Sequence, residues 1–268
     1  MLAALASTTT TATLGTGALL PFLRRPLQAA QALASIDLLS GGRLAVAVGA
    51  GFPGRFGRPF YALSEVAWPR RFARLDETVA LWRAVRTGAT SFDGEFFRHD
   101  DLPPATRPFR EGGPPIWLGG ATPAALVRAG RRYDGWLPYP PDPADYASRL
   151  LRASGLLRIH ETASAAGRDA GAITPAMFVT VLIDEDPGSA FTEMEKFATR
   201  TYGMPLGELG KVQAVVTGTP AHIGATLTRY IDAGARHVVI RPAALGLHSQ
   251  REQLERAADL IPTWTNRA

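Results

Sequence analysis

Apolar, β-branched runs and helical patterns alternate along this chain, and that alternation narrows the fold more than any other feature. The runs at 12–19 (ATLGTGAL), 43–49 (RLAVAVG), 115–119 (PIWLG), 134–138 (DGWLP), 175–183 (PAMFVTVLI) and 236–241 (RHVVIR) read as strands covered on both faces. Between them lie helices. In 69–86, Phe72, Leu75, Val79, Trp82 and Val85 recur at three- and four-residue steps and predict one buried face. In 219–234, Thr219 is an N-cap, Pro220 suits the first helical position, Ile223, Leu227 and Ile231 form the stripe, and Gly234 ends the helix. The tripeptide GTP at 218–220 is thus a helix start. Apolar strands alternating with helices imply a parallel sheet, either doubly wound or closed into a barrel. The stretches 50–68 and 98–114 read as insertions between elements, the kind of loop that builds the active site of a barrel.

Composition removes several chemistries. The 268 residues contain no cysteine, which excludes disulfides, thiolate metal sites and cysteine nucleophiles. His99, His160, His222, His237 and His248 show no metal-ligand spacing, so no metal is expected. The net charge is +5, yet Lys196 and Lys211 are the only lysines and arginines such as Arg70, Arg71, Arg74 and Arg83 are scattered along helices, so nucleic acid is not an expected partner. The first 23 residues carry no charged side chain, but the run TTTT and Gly15, Gly17 and Pro21 break any long apolar helix. A cytoplasmic protein that neither enters nor spans a membrane is expected.

Two glycine-rich turns are candidates for binding an anionic cofactor. Gly49, Gly51 and Gly54 spell G-x-G-x-x-G after the strand LAVAV. A dinucleotide fingerprint needs a helix at those glycines and an acidic residue about 20 positions later. Pro53, Gly57 and Pro59 argue against that helix, and Glu65 precedes a further break at Pro69. The segment PIWLGGATPAALVRAG, 115–130, meets the requirement better, because Gly119 and Gly120 lead straight into a helix whose start holds Thr122 and Pro123. Open amides at a helix N-terminus form an anion site.

The segments LGTG (14–17), LLSGGRLAVAVGAGF (38–52), RRFARLDETVALWRAV (70–85), SFDGEFF (91–97), PPIWLGGATPAALVRAGRRYDGW (114–136), AGRD (166–169) and GTPAHIGATLTRYIDAGARHVVI (218–240) together resemble the luciferase-like monooxygenase superfamily. The likeness is greatest to its actinobacterial members that depend on coenzyme F420. The resemblance spans nearly the whole chain and implies one luciferase-like domain over residues 1–268, an α/β fold of the (β/α)8 TIM-barrel type. Because such members begin with a strand, a helix and a second strand that have no counterpart after Met1, the first two barrel strands are expected to be missing.

The resemblance further implies a cofactor, F420 or alternatively FMN, lying across the C-terminal mouth of the strands. Gly17 and Ala18 match the strand end where that family places a cis, non-proline peptide against the ring. Gly49, Ala50 and Gly51 match the next strand end, beside the ring and its polyol chain. Arg71 matches an arginine that reaches the cofactor phosphate in some members, and Gly119, Gly120, Ala121 and Thr122 match the phosphate turn. No catalytic acid or base is nominated, since the family's candidate would precede Met1. His99, in RHDD, is expected at the surface, and Phe52, Phe56, Tyr61, Trp136 and Tyr139 could line a substrate pocket or pack in the core.

The function implied is that of an oxidoreductase or monooxygenase acting on a small organic substrate, by hydride transfer or by flavin-peroxide oxygenation, with a homodimer as the customary assembly. Two alternatives stay open at this stage. One is a degenerate, non-catalytic family member that binds flavin weakly. The other is an NAD-dependent dehydrogenase on a doubly wound sheet, which needs a helix directly after Gly54.

Overall fold

The computed structural model describes residues 1–51, 57–139, 144 and 156–261. The chain forms two compact units, Met1–Gly119 with Arg132–Asp134, and Gly120–Arg131 with Gly135–Ala268. All six strands expected from the apolar runs are present, together with one strand and a small hairpin that the sequence pattern does not reveal.

In the first unit the order is α1 (Leu2–Thr8), β1 (Leu14–Leu19), α2 (Pro26–Leu39), β2 (Leu44–Val48), α3 (Arg58–Leu63), α4 (Arg71–Arg86), β3 (Phe92–Asp93), β4 (Arg98–His99) and β5 (Ile116–Gly119). β1 lies parallel to β2 with Leu14 opposite Leu44, and β2 lies parallel to β5 with Val46 opposite Ile116. Every residue of β2 is buried, as a strand covered on both faces requires. Ala29, Ala30, Leu33 and Ala34 give α2 a small-residue buried face. The Trp82 indole of α4 is fully buried, and its Nε1 donates to the Pro26 carbonyl at 2.9 Å, fixing α4 against the start of α2.

The face predicted for α4 holds for Leu75, Val79, Trp82 and Val85, which are buried. Phe72 departs from it: in the helix's first turn it is 38% exposed, with the Arg71 guanidinium 4.7 Å from its ring centroid. A second departure concerns Pro59. It does not prevent a helix: it occupies the first turn of α3, where a missing amide hydrogen costs nothing. β3 and β4 pair antiparallel, Phe92 with His99.

The second unit continues with α5 (Pro123–Arg132), β6 (Gly135–Leu137), α6 (Leu156–Ala165), β7 (Thr174–Ile183), α7 (Pro187–Tyr202), α8 (Leu206–Leu209), β8 (Ala214–Gly218), α9 (Pro220–Asp232), β9 (His237–Pro242) and α10 (Leu247–Ala258). β7 organises this unit: its ten residues are almost all buried, and it pairs in parallel with three strands. β6 lies along its beginning (Gly135 opposite Thr174), β8 along its end (Val179 opposite Ala214), and β9 runs from Ala176 to Val181. Thr219 caps α9 as expected, its side chain accepting from the His222 amide at 3.3 Å. Ile223 and Leu227 are buried, but Tyr230 takes the third core position in place of Ile231. Gly234 has the positive φ of +110° expected after the helix. Among the described residues no helix is long and apolar enough to cross a membrane.

Candidate cofactor and substrate site

In the first unit, the ends of β1 and β2 come together at the residues singled out as cofactor-binding. The Gly17–Ala18 peptide is cis. Just before it, Thr16 Oγ1 donates to the Ala47 carbonyl at 2.7 Å. Just after it, the Gly49 amide donates to the Leu19 carbonyl at 3.0 Å. The parallel register shifts between Thr16 and Leu19, so the Gly17–Ala18 segment leaves the regular ladder while both flanks stay tied to β2. A Cβ placed on Gly49 would meet only Ala18 Cβ, at an ordinary 3.7 Å, so the glycine leaves an open face at the strand end. Gly51 follows with φ +92°, a conformation that glycine adopts without steric cost.

Ala50 is buried, and its carbonyl accepts the Tyr61 hydroxyl at 3.2 Å, which ties α3 back onto the end of β2. The Tyr61 ring stacks on Phe22 at 3.6 Å between centroids and meets Trp68 edge-on at 5.0 Å. Burial pushes the Tyr61 phenol up to about 12, against the pull of Arg71 and Arg74, so it is a hydrogen-bond donor at neutral pH and not a base.

Of these residues, Phe22, Gly49 and Tyr61 border a cavity of about 710 Å³ that lies wholly in the first unit. Gly49 and Tyr61 line it from the strand ends, Arg71 and Arg74 from α4, and Phe96 and Phe97 from the β3–β4 hairpin. The Arg71 guanidinium stands 4.0 Å over the Trp68 ring. His99 also lines the cavity and is half-buried, so it is less superficial than its RHDD context suggests. Phe52, Gly54 and Phe56 lie outside the described residues.

In the second unit, Gly120 and α5 form the other glycine site. Gly120 has φ +127°; its amide points to the Leu137 carbonyl at 3.4 Å and its own carbonyl accepts Trp136 Nε1 at 2.7 Å. Trp136 is fully buried, so it is an anchor for this turn and does not line a pocket. Thr122 caps α5: its carbonyl accepts from Ala125 and Leu126 at 2.9 and 3.1 Å, and its Oγ1 accepts from Ala125 at 3.2 Å. A hydroxyl that accepts still has its proton to donate, and the first amides of a helix have no intrahelical acceptor. The turn therefore suits an anionic oxygen, such as the phosphate of F420 or FMN. Tyr139, half-buried and with its phenol pushed up to about 12 by desolvation, packs on Phe178 at 5.1 Å between ring centroids.

The Glu77–hairpin contact had no sequence signal. Its carboxylate accepts the amides of Glu95, Phe96 and Phe97 at 3.0, 2.7 and 2.7 Å, which fixes the two aromatic rings that wall the cavity. The interacting residues are 18 to 20 positions apart in a chain segment that reads as a loop.

A parallel-stranded α/β architecture with open glycines at its strand ends and a helix-start anion turn suits the class of proteins that bind an anionic cofactor. The comparisons identify which family within it. The family described as luciferase-like monooxygenase matches residues 1–263, and the chain belongs to that family. The F420-dependent glucose-6-phosphate dehydrogenase of Mycolicibacterium smegmatis is 30% identical, over 90% of this chain and 75% of that protein. The enzyme of the same description from Kineococcus radiotolerans is 29% identical over 96% of this chain and 79% of its own length.

Among solved structures, the monooxygenase RslO1 from Streptomyces bottropensis superposes with a TM-score of 0.75 at 26% identity, covering 98% of this chain and 82% of that one. An F420-dependent secondary alcohol dehydrogenase, solved with an F420–acetone adduct, shares the fold with a TM-score of 0.78 at 20% identity, over 97% and 81% of the two chains. The fold class is thus α/β of the luciferase-like barrel type, and the chain is an enzyme of the luciferase-like oxidoreductases. Membership of this family sets aside the doubly wound NAD-dependent dehydrogenase.

Proposed function

We propose that the chain is an F420-dependent oxidoreductase that exchanges a hydride with a small organic substrate, working as one luciferase-like domain. The observation that carries this reading is the open end of β2 at Gly49, facing a cavity of about 710 Å³ with aromatic walls, beside the Gly17–Ala18 peptide. It agrees with relatives at 28–30% identity that are described as F420-dependent dehydrogenases.

When bound, F420 would supply hydride chemistry at its deazaflavin ring. The chain's own residues would bind and orient it. Gly17, Ala18, Gly49, Ala50 and Gly51 would offer the ring a flat, unhindered backbone surface. Gly119 and Gly120, which carry no side chain, would let the phosphate approach the start of α5, where Ala121 and Thr122, with its hydroxyl, would hold it. Arg71 would add a positive charge at the cavity wall. The Tyr61 hydroxyl, kept protonated by burial, holds the Ala50 carbonyl and so keeps the strand end in place.

Titrating the purified protein with F420, FMN and NADPH, followed by absorbance and fluorescence, tests the assignment. F420 is expected to bind most tightly. Preference for FMN would move the chain to the flavin-dependent branch, and binding of NADPH alone would sink the reading.

A further inference from the structure

The arginines around the α4–hairpin region fall into two sets. Arg70 pairs with Glu95, and Arg98 pairs with Asp93 at 2.6 Å, both on exposed surface. Arg71 and Arg74 have no carboxylate in salt-bridge range among the described residues, and their guanidinium groups stand over aromatic rings instead. Arg71 lies 4.0 Å from the Trp68 centroid, and Arg74 lies 5.0 Å from that of Phe97 and 5.6 Å from that of Phe96. A guanidinium held by its face against a ring keeps its N–H edge free to donate.

Arg24 and Arg25, which follow β1, line the same cavity, and Glu65 is the single carboxylate in that lining. Four formal positive charges against one negative leave +3 within one concave space. Arg24 and Arg25 are exposed at its rim and Arg71 and Arg74 half-buried in its wall; a cleft lined by one sign of charge attracts the opposite one.

We propose that this cavity binds a small molecule bearing two or more negative charges, phosphate or carboxylate. The half-buried rings of Phe22, Phe96 and Phe97 receive its flat or apolar part. Arg71 alone is implied by the family resemblance; Arg24, Arg25 and Arg74 extend it into a multivalent site. The lining belongs entirely to the first unit, whereas Gly120, Ala121 and Thr122 belong to the second. The negative charge has two sources, a substrate or F420, itself an anion. Only the naming of F420 rests on the proposed function.

Calorimetric titration of the full, cofactor-free chain with inorganic pyrophosphate and with citrate at low ionic strength tests the site. Saturable binding is expected, weakened about tenfold in Arg74→Gln and again in Arg25→Gln, as loss of a charge-assisted hydrogen bond predicts. Arg74→Lys should keep binding closer to the parent, and Arg98→Gln should leave it unchanged. Thermal unfolding of each variant separates misfolding from lost contacts. Absence of saturable heat in the folded parent, or equal binding in the folded Arg25→Gln/Arg74→Gln double variant, overturns the proposal. Repeating the pyrophosphate titration with F420 present distinguishes the sources: displacement assigns the site to the cofactor's charge, simultaneous binding to a substrate's. If F420 fails to bind while pyrophosphate does, the proposed function falls and the anion site stands.

Discussion

Glu77 shows how much one side chain can organise. Three consecutive amides share its carboxylate, and a Cβ on Gly94 would sit 2.3 Å from its Oε1, so the hairpin can approach α4 this closely only with glycine at 94. Glu77→Ala is expected to cost about 2 kcal/mol, because hydrogen bonds to a charged acceptor are stronger than neutral ones but these are partly solvated. Urea unfolding measures the loss. The same change should weaken pyrophosphate binding, because Phe96 and Phe97 lose their support. Arg86 is the opposite case. It is buried against Gly113, and no acceptor for its three guanidinium nitrogens is found among the described residues. Burial lowers its pKa to about 10 despite the nearby charges of Asp37 and Asp134. Asp37 already pairs with Arg110, and Asp134 with Arg83. Arg86→Met should therefore leave no new buried charge unpaired and raise stability by about 1 kcal/mol, read as a higher urea midpoint. A lower midpoint would mean that the guanidinium holds the loop around Gly113 in place.

At the scale of elements, α5 and α6 meet at Gly130, where a Cβ would lie 2.0 Å from Thr162 Oγ1 and 2.4 Å from the Ile159 carbonyl oxygen. The carbonyl is backbone and cannot swing aside. Gly130→Ala should separate the helices and lower the thermal midpoint by the equivalent of about 1–3 kcal/mol; an unchanged midpoint would show that the helices slide without cost. Periodicity placed α4 and α9, because their core positions recur at helical spacing and Thr219 supplies a cap. It placed six strands because each lies in a run of apolar or β-branched residues. It missed β8, whose AVVTG run, although longer than β5 or β6, merges into the helix start that follows, and the β3–β4 hairpin, whose strands are two residues each. Of the candidate site, the two glycine turns could be singled out from the sequence because open backbone amides at a strand end or a helix start suit an anion, although an ordinary tight turn leaves the same letters. The cavity was not, because Arg24, Phe22, Arg74 and Phe97 come from segments far apart in sequence and only the fold gathers them.

The whole molecule should record its buried phenols in how its stability depends on pH. Tyr61 in the first unit and Tyr139 in the second both have pKa values raised from 10 to about 12, chiefly by burial. Between those values the folded chain keeps phenolic protons that the unfolded chain has lost, so stability is fully present below pH 10 and falls as pH rises toward 12. Arg86 acts in the opposite sense. Its folded pKa of about 10 lies below the ordinary 12.5, so across that window the unfolded chain holds the extra proton and stability rises with pH. Two groups pull down and one pulls up, which leaves a net decline. Urea midpoints measured at steps from pH 9 to 11.5 should fall for the parent, more gently for Tyr61→Phe, and more steeply for Arg86→Met, which removes the opposing contribution. If Arg86→Met leaves the slope unchanged instead, the guanidinium is not desolvated in solution, and the predicted gain in stability from removing it fails with the same measurement.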